Sequence, residues 1–159
     1  MVERVTREVA ISEIMQSLRR IFKAIQDYSH EVSNKFGITG PQLWALKTIS
    51  QNGKLSLGEL TKKMYLHPST ITGVVDRLEK KGYVSRDRGQ GDRRVINVQL
   101  TPQGKKLVKR APNPVQGKMI YGLRRLKKEK LSSIYDSVNK LVEIMEAQHV
   151  KVTFFFDQD

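Results

Sequence analysis

STITGVVDRLEKKGYVSRDRGQGDRRVINVQLTPQG, Ser69–Gly104, is the stretch whose reading decides the fold. Its first half places Ile71, Val74, Val75 and Leu78 at helical spacing, which predicts a helix with one buried face. Pro68 suits a first-turn position, and Lys80, Lys81 and Gly82 make an expected C-terminus. The second half changes period. Tyr83–Arg86, then a charged loop with Gly89 and Gly91, then Val95–Leu100 with Ile96, Val98 and Leu100 on one face predict a β-hairpin with a long tip. Arg86, Arg88, Arg93 and Arg94 crowd that tip, opposed by Asp87 and Asp92.

Upstream, Ser56-Leu57-Gly58-Glu59 is a capping box that opens a short helix through Met64, with a break at Tyr65-Leu66-His67. Thr39 and Gln42 form a second such box, ahead of a helix from Gln42 to Gln51 that carries Leu43, Trp44, Leu46 and Ile49. Two short helices joined by a tight break, the second running into a hairpin, are a winged helix-turn-helix by order of elements. In that arrangement the second helix enters the major groove of duplex DNA, where base edges are distinguishable. Its N-terminal end is short and polar, with His67, Ser69, Thr70 and Thr72. Such residues also serve as plain helix caps, so the hairpin is what turns the reading toward base contact. A glycine-turned tip held beside that helix lets an arginine reach the adjacent minor groove. Asp92, two residues before Arg94, can orient its guanidinium.

The flanks are long helices. From Ile11, apolar residues recur through Phe36 at helical spacing; a helix of that length is roughly 39 Å, too long for a small domain to cover alone. Thr101-Pro102 starts another helix, which Pro112 and Pro114 interrupt, and a last one is expected over about Leu126–His149. The expected organisation is mainly α with a small β wing: a DNA-binding domain over 37–104, flanked by a helical dimerisation region over 1–36 and 105–159. The tail KVTFFFDQD is apolar and then acidic, without an assigned role.

The 159 residues suffice for a real core and carry a formal charge of +13. A polyanionic partner would offset that self-repulsion. Residues 105–130 hold 10 basic side chains and 1 acidic one, a segment that reads as a solvated face, a DNA contact, or a site for an anionic ligand or acidic partner. There is no cysteine, which excludes disulfides, thiol chemistry and cysteine-ligated metals and fits a reducing cytoplasm. No segment has the roughly 20 apolar residues of a membrane span, so no membrane partner is expected. His30, His67 and His149 are too scattered to suggest a metal site, and no glycine-rich phosphate loop or nucleophile–base pair is present. Neither a cofactor nor catalysis is implied.

The run STITGVVDRLEKKGYVSR followed by GDRRVINVQLTPQG resembles the MarR family of prokaryotic transcription regulators. The marks are the ST-x-T start, the D-R-L-E-x-K-G-x-V-x-R passage into the wing, and D-x-R before an alternating strand and L-T-x-x-G. The resemblance implies a homodimer with intertwined terminal helices, a pseudo-palindromic double-stranded DNA site, and repression relieved by a small anionic or aromatic ligand. By position, Arg94 would be the wing arginine with Asp92 its partner; His67, Ser69, Thr70, Thr72 and Arg77 would serve the recognition helix, and Arg86, Arg88 and Arg93 the wing. His67-Pro68 and the basic segment after residue 104 depart from the family pattern. An effector would sit between the long helices and the winged domain, with Trp44 and Tyr28 as aromatic candidates. A nonspecific architectural DNA-binding protein remains the alternative.

Overall fold

A computed structural model of the chain describes residues 6–88, 91 and 94–150. Helix α1 (Arg7–Phe36) begins four residues earlier than the apolar pattern indicates, because Thr6 caps it, and Gly37 ends it in the left-handed conformation. Both capping boxes form: Thr39 with Gln42 opens α2 (Gly40–Asn52), and Ser56 with Glu59 opens α3 (Leu57–Met64). Helix α4 (Pro68–Lys80) follows directly, then strands β2 (Val84–Arg88) and β3 (Ile96–Leu100).

A third strand, β1 (Leu55–Ser56), pairs with β3 through Leu55 opposite Val98 and makes an antiparallel sheet of order β1-β3-β2. Two residues are too few to show a period, so this strand is not visible in the sequence. The core lies between α2, α3, α4 and the sheet, around Leu43, Leu46, Leu60, Met64, Ile71 and Leu78, all with essentially no exposure.

Helix α5 (Pro102–Arg110) starts in close contact with Gly82 and Tyr83, just ahead of β2. Thr101 Oγ1 donates to Gly82 O at 2.6 Å and accepts from Gly104 N at 3.1 Å. A Cβ on Gly104 would lie 2.0 Å from Tyr83 O, so only glycine permits that approach. The L-T-x-x-G mark thus has a packing cause. Lys47 Nζ donates to the carbonyls of Val108 (2.8 Å) and Ala111 (2.7 Å) at the end of α5, and its burial lowers its pKa. After Pro112 and Pro114 the chain resumes as a separate helix, α6 (Val115–Arg124).

Helix α7 (Lys128–Ile144) is shorter than expected at both ends. Met145 caps it, and Glu146 turns the chain at φ 54°. Among the described residues no helix is long and apolar enough to cross a membrane, and no group of three or more His, Cys, Asp or Glu could hold a metal ion.

Candidate nucleic-acid interface

Helix α4 buries Ile71, Val74, Val75 and Leu78 against the core, which turns Ser69, Thr72, Asp76 and Arg77 outward. His67 is the helix N-cap: its Nδ1 accepts from Ser69 N at 3.2 Å, and Ser69 Oγ lies 2.8 Å from the same nitrogen. With Nδ1 as acceptor, a neutral imidazole carries its proton on Nε2, a donor at the exposed tip of the helix. Thr72 Oγ1 donates to Pro68 O at 3.0 Å, leaving its lone pairs as acceptors. Thr70 is half-buried.

Gly73 was not singled out from the sequence. It stands inside α4, where glycine costs roughly 0.5–1 kcal/mol relative to alanine, yet a Cβ there would meet nothing within 4 Å. No internal contact requires its bareness. Mid-helix glycine on a candidate contact face is the sequence signal that could have found it.

The wing is fixed to α4 by Arg86. Its guanidinium pairs with Asp76 at 2.5 Å and Glu79 at 2.9 Å, and its backbone N–H donates to Glu79 at 3.3 Å. The Arg86 side chain is only 21% exposed. Its guanidinium is therefore engaged by two carboxylates of α4 within the domain. Lys54 pairs with Asp87 and ties the loop before β1 to the same strand. Arg88 is exposed at the end of β2, paired in register with Ile96, and Arg94 is exposed on the far side of the tip. Asp92 and Arg93, like Gly89, lie outside the described residues.

A cavity of about 490 Å³ opens between α2, α3 and α6, lined by Trp44, Thr48, Lys63, Lys118, Tyr121 and Arg124 among others. Arg124 also donates to Tyr65 Oη at 3.0 Å and lies 5.8 Å from its ring centre, which brings α6 against the turn between α3 and α4. Trp44 lines this cavity and Tyr28 does not. Tyr28 is a core residue whose phenol, pushed well above its usual pKa by burial and then by Glu31, has no hydrogen-bond partner among the described residues.

Residues 38–96 match the MarR family model. In Bacillus subtilis strain 168, the uncharacterized HTH-type transcriptional regulator YsmB is 37% identical over 98 residues, covering 62% of this chain and 67% of the relative. The HTH-type transcriptional repressor MdtR of the same organism is 37% identical over 94 residues, covering 59% of this chain and 61% of its own length. Among solved structures, a MarR family protein from Bacillus stearothermophilus is 29% identical, with a TM-score of 0.54 over 89% of this chain and 99% of that one. These relatives are named as regulators, not as enzymes, and the sequence marks, the winged fold and the matches agree: the chain belongs to the MarR family of transcriptional regulators.

Proposed function

We propose that this chain is a homodimeric, sequence-specific DNA-binding repressor whose two α4 helices enter successive major grooves of a pseudo-palindromic duplex. The observation that carries it is the pairing of an exposed polar face on α4 with a wing fixed to that same helix through Arg86, Asp76 and Glu79. His67, Ser69 and Thr72 supply donors and acceptors for base edges and phosphates, and Arg77 is a phosphate contact. Gly73 lets the α4 backbone approach the duplex closely. Arg88 and Arg94 reach the flanking minor groove, whereas Arg86 acts as the brace that aims them.

Dimerisation follows from unpartnered apolar faces. On α1, Ile11, Ile14, Met15 and Ile21 are each about half exposed, and α7 presents Leu131, Tyr135 and Val138 in the same way. Apolar stripes of that extent on two helices suit a second copy of the chain, which supports 1–36 and 105–159 as the dimerisation region. The repressor assignment is supported by the name of MdtR. Relief by ligand is assigned to the cavity beside α6, whose Lys63, Lys118 and Arg124 favour an anion and whose Trp44 and Tyr121 favour an aromatic ring. A wedge there would shift α6 against the winged domain and so change the separation of the two recognition helices.

Arg94→Ala tests base reading against the nonspecific alternative. The proposal expects a larger affinity loss on the selected operator than on random duplex at matched salt. Equal losses on both would favour the architectural reading.

A further inference from the structure

The ten Lys and Arg side chains of residues 105–130 are all exposed, and among the described residues none is ion-paired. Uncompensated like charge opposes a compact state. The cost is sharpest at the start of α7, where Lys127 is the N-cap without a side-chain capping bond and Lys128 and Lys130 occupy the first turn. Cations at a helix N-terminus oppose its dipole by some tenths of a kcal/mol each. Glu129 in the same turn offsets only part of this, and the apolar stripe of α7 farther along already serves the proposed dimer.

The position of this edge narrows what it can meet. Arg124 bonds Tyr65, which lies two residues before His67 at the tip of α4. Lys63, on the last turn of α3, lines the same cavity as Lys118 and Arg124. Cations from α3 and the end of α6 therefore gather beside the turn of the helix-turn-helix, and the start of α7 follows Arg124 by only four residues in the chain. A major groove is about 12 Å wide with a row of phosphates on either side, so a helix tip in the groove brings the neighbouring surface to the next phosphates along the duplex.

We propose that the edge formed by Arg124, Arg125, Lys127, Lys128 and Lys130, with Lys63, is an accessory phosphate-binding surface for duplex DNA flanking the base-read segment. It rests on the DNA-binding reading above, and it gives a function to the charge that distinguishes this chain after residue 104. Its bonds to phosphate carry no sequence information; they lengthen the footprint and steepen the salt dependence.

The test compares the full-length chain with R125Q/K127Q/K128Q/K130Q on two duplexes, one ending at the base-read segment and one with roughly 10 bp, about one helical turn, of random flank on each side. Affinity is read by fluorescence anisotropy from 50 to 200 mM salt, and thermal melts verify folding. The smaller variant K127Q/K128Q, whose side chains make no described hydrogen bond, provides the same comparison if the quadruple variant folds poorly. On flanked duplex the slope of log K against log salt should flatten by about 0.9 for each phosphate that the variant no longer neutralises, with at least a tenfold weaker affinity. On the short duplex the variant and wild type should agree. An unchanged slope on flanked DNA, as an acidic protein partner or a small anion would give, overturns the proposal. So does an equal loss on both duplexes. If the wild-type chain shows no preference for its selected sequence, base reading fails while the flank comparison still decides this surface.

Discussion

Arg86→Met keeps the aliphatic stem of the side chain and removes the guanidinium that joins β2 to α4 through Asp76 and Glu79. The two carboxylates are 56% and 42% exposed, so water reclaims them once the cation is gone. Exposed ion pairs contribute ~0.2–1 kcal/mol each. With Arg86 itself only 21% exposed, the two pairs belong near the upper end, for a combined loss of about 1–2 kcal/mol. For a chain of this length each kcal/mol moves Tm by roughly 2–4 °C, which gives a drop of about 2–8 °C. The larger effect should be on DNA. A wing released from α4 no longer holds Arg94 in place, and losing about 1 kcal/mol on each of two wings weakens operator binding by roughly 30-fold. A double-mutant cycle with Arg94→Ala separates the brace from a direct contact. If Arg86 works through the wing, Arg86→Met should cost little further affinity once Arg94 is alanine. Additive losses together with an unchanged melt would refute the reasoning and restore Arg86 as a DNA contact.

Other substitutions probe different links. Gly73→Ala should raise stability by about 0.5–1 kcal/mol because its Cβ meets nothing, yet weaken operator binding by tenfold or more; unaltered binding would show that α4 does not approach DNA at that point. Gly104→Ala drives a methyl to 2.0 Å from Tyr83 O, and with backbone on both sides the overpacking cost should reach about 3 kcal/mol, a Tm drop of roughly 6–12 °C; a drop too small to measure would mean that α5 sits farther from Tyr83. Glu59→Gln keeps the capping geometry and removes the charge. The bond from the Ser56 backbone N–H, then that from its hydroxyl, holds the Glu59 pKa below its ordinary value. The carboxylate's advantage over glutamine is therefore present above about pH 4.3 and lost as pH falls through the folded-state pKa. Chemical denaturation of both proteins at several pH values should show the gap closing on acidification, and a gap that is constant or widens would contradict it.

Legibility in the sequence tracked how local each determinant is. Both capping boxes, the left-handed Gly37 and the apolar face of α4 depend on residues within about one turn of each other, so Thr39-Gln42, Ser56-Glu59 and Ile71-Leu78 read correctly from spacing alone. Strand β1 did not, because Leu55 becomes a strand residue only by pairing with Val98. Arg86 looks like its neighbours on paper; what separates it is the approach of Asp76 and Glu79, ten and seven residues earlier, across a helix and a turn. Gly104 was legible as part of a motif, but its reason, the carbonyl of Tyr83 beneath it, is tertiary. The early end of α7 is marked by Glu146 in a left-handed conformation that its residue type does not announce. Within the candidate site, the polar tip of α4 was visible as composition, and the role of His67 as its cap only as geometry.

The central claim is that two copies of the chain hold their α4 helices at a separation matched to the duplex, and varying half-site spacing tests it most directly. With an operator selected from random duplexes, affinity is measured at fixed salt for the native spacing, for an insertion of about half a helical turn and for one of about a full turn (10–10.5 bp). The half-turn insertion should reduce binding to the level of scrambled DNA, because it rotates one half-site to the opposite face. Affinity that ignores spacing, or a selection that yields no inverted repeat, would contradict the account.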